Sequence, residues 1–241
     1  MDNKNLITIV DIDGTLAIGH VACHLTIYNK KLSLAMTEEE ITFAARRYKT
    51  TLEVPQIIKV KEKRENAFNR IREEIRISSK AYSNLPSLPG SREGIKRLDK
   101  FTCFGGYYTG RRPEIMDTTK KWLIEKNFPF PKNVVCCVDH TDKIRKIIYD
   151  WLLCKKKPRK EKLSTILLID DSWQELIQAT QQMVEEKSSV KRYFRHLAIV
   201  AFGATEKMLP PQTELQVIPL PSWKKEKALI ELINLKKEDN I

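Results

Sequence analysis

The chain has 241 residues, 41% of them hydrophobic and 31% charged, with 43 Lys and Arg against 31 Asp and Glu for a formal charge of +12. That length holds one large domain or a core domain with an insertion, and that balance excludes a disordered chain. No apolar run approaches the roughly eighteen residues of a spanning helix, and the start MDNKNLITIV lacks a basic region leading into a signal-length apolar segment, so the expectation is a cytoplasmic protein with no membrane partner. The cysteines are odd in number and show no CxxC spacing, which argues against a disulfide framework or a zinc site. The basic balance favours polyanionic partners but does not choose between nucleic acids and phosphorylated metabolites.

In chain order, the first apolar run, 6–12, ends in the stretch IVDIDGT and plants Asp11 and Asp13 one residue apart. In extended chain they would share a face and repel, which calls for a cation between them. Between Thr15 and the PSLPGSREG turn at 86–94 no strand is evident. Thr37 opens a capping box with Glu40, and Pro55 opens a longer charged helix carrying Ile57, Val60, Phe68, Ile71 and Ile75. Further strands are expected at 102–108, 133–138, 164–169 and 196–202, with a weaker one at 214–218. Helices are expected at 91–100, 113–126, 141–154, 173–186 and 223–235. Strand alternating with helix predicts an α/β Rossmann-like three-layer sandwich with a parallel sheet. Residues 1–18 and 86–241 would form its core, and 19–85 would be an inserted helical cap.

Parallel strands put their carboxyl ends on one edge, so the polar strand ends should converge there. They are Asp11 and Asp13; Thr109, Gly110 and Arg111; the DHTDK run at 139–143; and Asp170 with Asp171. Carboxylates at Asp11, Asp13, Asp170 and Asp171 could share one hard cation, Mg²⁺ being the expected cofactor. The KKKPRKEK run at 155–162 precedes a strand, belongs on the opposite edge and reads as a solvated loop. His140 reads as a surface or cap residue, and Tyr193 and Phe194 as core.

These motifs resemble those of the haloacid dehalogenase (HAD) superfamily of phosphohydrolases. Its D-x-D-x-T motif matches Asp11, Asp13 and Thr15, its strand-terminal Ser/Thr matches Thr109, and its acidic pair matches Asp170 and Asp171, with Glu175 four residues on. Its lysine matches Lys143, with Lys146 one turn further as the alternative. The resemblance implies that Asp11 attacks phosphorus to give an aspartyl-phosphate. Asp13 would protonate the leaving oxygen and then activate water, while Thr109, Lys143 and the Gly110 amide neutralise charge and Arg111 meets the substrate. Members that cleave carbon–halogen bonds usually lack the second aspartate, so Asp13 favours phosphoryl transfer. The expected substrate is a small phosphorylated metabolite or a nucleotide. A nucleic-acid 3′-phosphate is the alternative, suggested by a faint likeness of 109–123 to polynucleotide kinase–phosphatases. The competing class is a polyanion-binding protein without catalysis. Arg46, Arg47 and Lys49 of the cap are expected to meet distal anionic groups.

Overall fold

In the computed structural model, which describes residues 6–153, 165–210 and 215–234, six strands form one parallel sheet. They are β1 (Leu6–Val10), β2 (Cys103–Thr109), β3 (Val134–Cys136), β4 (Thr165–Asp170), β5 (Leu197–Phe202) and β6 (Gln216–Leu220), in the order β3-β2-β1-β4-β5-β6. The inner strands are apolar along their length because both faces are covered. Side chains alternate, so Leu6, Val10, Leu167 and Ile169 enter one core while Ile7, Ile9, Ile166 and Leu168 enter the other. Thr8 interrupts the apolar run of β1 without leaving a buried hydroxyl unpaired, since its Oγ1 lies 2.8 Å from that of Thr102.

The helices in chain order are α1 (His20–Leu32), α2 (Glu38–Arg47), α3 (Pro55–Lys63), α4 (Glu65–Arg76), α5 (Ser79–Ser83), α6 (Ser91–Phe101), α7 (Met116–Glu125), α8 (His140–Ile148), α9 (Trp173–Glu186), α10 (Lys191–Phe194) and α11 (Glu226–Asn234). Ile95 and Leu98 of α6, Trp122 of α7 and Leu229 and Leu232 of α11 pack on the first face. Ile144 and Ile147 of α8, Leu176 of α9 and Phe194 of α10 pack on the second. The result is a three-layer α/β sandwich of Rossmann type.

Helices α1–α5 lie between β1 and α6 and share the first core. Tyr28 of α1 stacks on Phe68 of α4 with ring centroids 5.3 Å apart. Thr37 and Glu40 make the capping box of α2, with the Glu40 amide donating to Thr37 Oγ1 at 3.2 Å and the Thr37 amide donating to Glu40 Oε2 at 2.8 Å. Two indoles fix the roots of this segment. Trp122 Nε1 donates to the Leu85 carbonyl at 2.7 Å, and Trp223 Nε1 donates to the Thr15 carbonyl at 2.7 Å. Gly94 of α6 makes room for the second, since a Cβ there would fall 2.4 Å from the Trp223 ring.

Several boundaries differ from the sequence reading, each for a physical reason. The helix opened by Pro55 breaks at Arg64 (φ −142°), which occupies the point where the apolar stripe should continue. Breaking there lets Ile57 and the Phe68, Ile71, Ile75 set reach the core on separate axes. The first strand ends at Val10, not residue 12, because the chain folds back, with the Leu16 and Ala17 amides donating to the Ile12 carbonyl at 2.8 Å. The 133–138 run shortens to three residues at the sheet edge. The helix after it ends at Ile148 and passes into a π-helical turn at Tyr149–Leu153. Phe194 is core as expected, but on the short helix α10. The KKKPRKEK run lies outside the described residues. No helix among the described residues is long and apolar enough to cross a membrane.

Candidate active site

Asp11 follows β1, Thr109 closes β2 and Asp170 closes β4, all on the carboxyl edge. Helix α8 starts beside them because Asp139 caps it, accepting from the Asp142 amide at 2.7 Å. That start carries Lys143 inward. Its Nζ donates to Asp11 Oδ1 at 2.8 Å and Asp170 Oδ2 at 2.7 Å, and the residue is 4% exposed. Lys146 instead donates to the Cys136 carbonyl and to Asp142, both at 2.7 Å. Of the two lysines, Lys143 sits among the carboxylates.

Carboxylate oxygens of Asp11, Asp170 and Asp171 lie within 4.8 Å of one another. One ammonium does not neutralise three such groups. Burial holds the Asp11 carboxyl well above its usual range, with Asp170 and Asp171 adding to the effect against the pull of Lys143. Burial and Asp170 push Asp171 up to about 7. Burial alone would depress Lys143, but Asp11 and Asp170 outweigh it and raise its pKa. Surplus negative charge and an all-oxygen donor set suit a hard divalent cation, so these residues fit a metal. The loop after β1 is built around Asp171. Gly14 has φ +85° and a Cβ there would fall 2.1 Å from Asp171 Oδ2. Thr15 Oγ1 also accepts from the Asp171 amide at 3.1 Å. No other residue type fits at position 14 without moving that carboxylate.

Two placements differ from the sequence reading: Asp13 as a member of the carboxylate set for the metal, and Arg111 as a residue that meets the substrate. Asp13 lies outside the three-carboxylate cluster, because the chain leaves strand geometry after Val10 and bends at Ile12, so Asp13 no longer shares a face with Asp11. Arg111 Nε and Nη2 donate to Asp13 Oδ2 and Oδ1 at 2.9 and 2.7 Å. The guanidinium lies 4.9 Å from the Tyr82 ring and 5.4 Å from the Trp122 ring, and Arg111 is 3% exposed, so it is a buried partner of Asp13 and not a wall of the cleft. Burial opposes ionisation of Asp13, but the Arg111 charge and hydrogen bonds prevail and lower its pKa, with His20 and His24 adding to them. The cation expected between Asp11 and Asp13 is thus two cations, one for each carboxylate.

Asp11, Asp13, Thr109, Gly110, Lys143, Asp170 and Asp171 all line one cleft of about 260 Å³. His140, Ser172 and Glu175 join them, and His20, Lys49, Thr50 and Arg76 line it from the helical segment. Lys49 Nζ reaches the Asp171 carbonyl at 3.4 Å. Arg46 and Arg47 do not line the cleft; Arg47 rests against Phe43 and Tyr48, 5.9 and 5.8 Å from their centroids. Behind the cleft wall His24 meets Tyr82 edge-on at 5.4 Å and His20 at 6.0 Å. Burial, helped by His20, drops the His24 pKa to about 4. The sequence reading missed His20, His24, Thr50, Arg76 and Tyr82. A signal existed only for the histidines, whose spacing in HVACH puts both on one face of a helix.

No protein-family model matches the chain, and no curated protein matches it. Solved structures do resemble it. A HAD-superfamily hydrolase of subfamily IA from Geobacter sulfurreducens superposes with a TM-score of 0.54 at 14% identity, over 97% of this chain and 98% of that one. A HAD family hydrolase from Deinococcus radiodurans, whose structure holds bound phosphate and sodium, gives 0.53 at 9% identity over 98% of both chains. At such identities the likeness speaks for the fold, and by that measure the chain has the fold of the HAD-superfamily hydrolases.

Proposed function

We propose that the protein is a magnesium-dependent phosphatase that hydrolyses a phosphate monoester through a phosphoryl group carried on Asp11. The observation that carries this reading is the buried set of Asp11, Lys143 and Asp170, joined at 2.7–2.8 Å beside Asp171 and open to a cleft lined mostly by polar and charged residues. Asp11, Asp170 and Asp171 would hold the metal, which when bound supplies positive charge to the phosphoryl oxygens. Lys143 fixes Asp11 and favours its ionised form against the effect of burial. Thr109 and the Gly110 amide, which line the cleft, would donate to the phosphoryl oxygens.

In the first half, an Asp11 oxygen forms a bond to phosphorus while the ester P–O bond breaks, and protonated Asp13 gives its proton to the leaving oxygen. In the second, water attacks phosphorus as the Asp11–phosphoryl bond breaks, and the Asp13 carboxylate takes a proton from that water. The pair with Arg111 favours the carboxylate, the form used in the second half.

Helices α1–α5 act in this reading as a cap that covers the edge and contributes Lys49, Thr50 and Arg76 to selection. A cleft of about 260 Å³ with a cationic rim supports a small phosphorylated metabolite or a nucleotide as substrate. A cytoplasmic location belongs to the same proposal; Cys23, Cys103, Cys136 and Cys137 are free thiols, as a reducing compartment keeps them. The test is phosphate release from phosphorylated metabolites, nucleotides and 3′-phosphorylated oligonucleotides, with magnesium and with chelator. Magnesium-dependent release from small esters, lost in Asp11→Asn, supports the reading. Release unaffected by chelator or by Asp11→Asn contradicts it.

A further inference from the structure

Arg111 is the most heavily invested side chain near the cleft that touches neither the cluster of three carboxylates nor the cleft itself. It is 3% exposed, and its hydrogen bonds go to Asp13 through two nitrogens and to Thr119 Oγ1 at 3.4 Å. Burying a guanidinium is costly unless geometry returns the cost, and a two-point pair with a carboxylate is the arrangement that does so. The pair leaves Asp13 usable. A carboxylate has about four lone-pair sites, of which Arg111 takes two. The Asp13 side chain is 24% exposed against 1% for that of Arg111, so the remaining sites face the cleft.

The guanidinium is itself held between two rings from different parts of the chain. Trp122 belongs to α7 of the core and Tyr82 to α5 of the helical segment. Lysine could keep the charge but not the planar fork or the stacking.

We propose that Arg111 is a positioning residue: it fixes the plane of the Asp13 carboxylate toward the cleft, and Tyr82 makes that placement depend on how the helical segment is seated. The inference rests on the proposed phosphatase reading. Its consequence falls on the second half of the reaction, in which Asp13 must take the proton of the attacking water as the bond from Asp11 to phosphorus breaks. A substrate such as 4-nitrophenyl phosphate needs little protonation of its leaving oxygen, so with it a misplaced Asp13 slows that second half selectively.

Rapid-quench kinetics with 4-nitrophenyl phosphate and magnesium separate the two halves. Arg111→Lys should lower kcat about 100-fold and lower KM with it, leaving kcat/KM little changed, because only the step after nitrophenol release is slowed. It should also release one equivalent of nitrophenol in a burst while the phosphoryl group stays on Asp11. Tyr82→Leu, which leaves the ion pair in place, should do the same to a lesser degree, about 5- to 10-fold. In an Asp13→Asn background, Arg111→Lys should change kcat by less than about 2-fold, because its effect passes through Asp13. A burst that shrinks in step with kcat would show loss of folded enzyme and overturn the inference. Losses from Arg111 and Asp13 that multiply would overturn it as well. Those results leave the phosphatase reading standing. If the wild-type protein releases phosphate from no ester, 4-nitrophenyl phosphate included, that reading falls and this inference falls with it.

Discussion

At the carboxyl edge of the sheet Asp11, Lys143 and Asp170 are at most 6% exposed and joined in a closed set of ion pairs, whereas Lys49 and Thr50, facing them from the helical segment, lie exposed on the cleft rim. The buried set is held together by charge-assisted hydrogen bonds among its own members, so each is tied to folding and to chemistry together. The rim residues are exposed and make few contacts that the fold depends on. They can change without disturbing the fold, which is the property needed of groups that select substrates.

The largest effect that would break this contrast lies at Asp11. Asp11→Asn should lower phosphate release at least about 1,000-fold in a protein that still melts cooperatively. Retained activity would mean the edge does not carry the chemistry. Next is Lys143→Met, which leaves the buried carboxylates without their ammonium. Urea unfolding should show a loss of about 3 kcal/mol or more, along with lost turnover; an unchanged midpoint would deny that fold and chemistry are tied there.

Magnesium provides the third probe. At roughly 100 times its dissociation constant it should stabilise the wild-type protein by about 2.7 kcal/mol and raise its melting temperature by several degrees. Asp171→Asn should lose most of that shift, and an equal shift in the variant would place the metal elsewhere. On the helical side, His24 has a folded pKa of about 4 against an ordinary 6.5, so the unfolded chain binds its proton first as pH falls. Its contribution is fully present above about pH 6.5 and is lost on acidification toward pH 4, about 2 kcal/mol between pH 7.5 and pH 5. Unfolding measured against pH in His24→Leu should lack that slope; parallel curves would rule His24 out as its source. The smallest effect belongs to the rim. Lys49→Ala should raise KM about 5-fold for a phosphate ester bearing a second anionic group, while Arg46→Ala and Arg47→Ala leave it unchanged.

The same contrast explains what could be read from sequence. The sheet and its polar edge were legible because each of Asp11, Thr109 and Asp170 ends an apolar run, and parallel strands bring such ends together whatever their separation. The direction of a side chain was not legible. TGRR gives no hint that Arg111 turns inward, since Tyr82 and Trp122, which hold it, come from separate helices. Asp13 follows from the same blind spot: extended geometry predicts that it faces with Asp11, but the strand ends at Val10 and the chain bends at Ile12, which leaves Asp13 to pair with Arg111. Arg76 stood out from the other arginines of the helical segment only once α4 was packed.

In the proposed reaction Asp11 carries the phosphoryl group. Acid quench of a single turnover with excess enzyme and magnesium, followed by peptide mass analysis, tests it most directly. The account predicts one added phosphoryl group on the peptide spanning 6–18, placed on Asp11 and absent in Asp11→Asn. Product formed with no phosphoryl group on the protein at any time point, or one found on another residue, would contradict it.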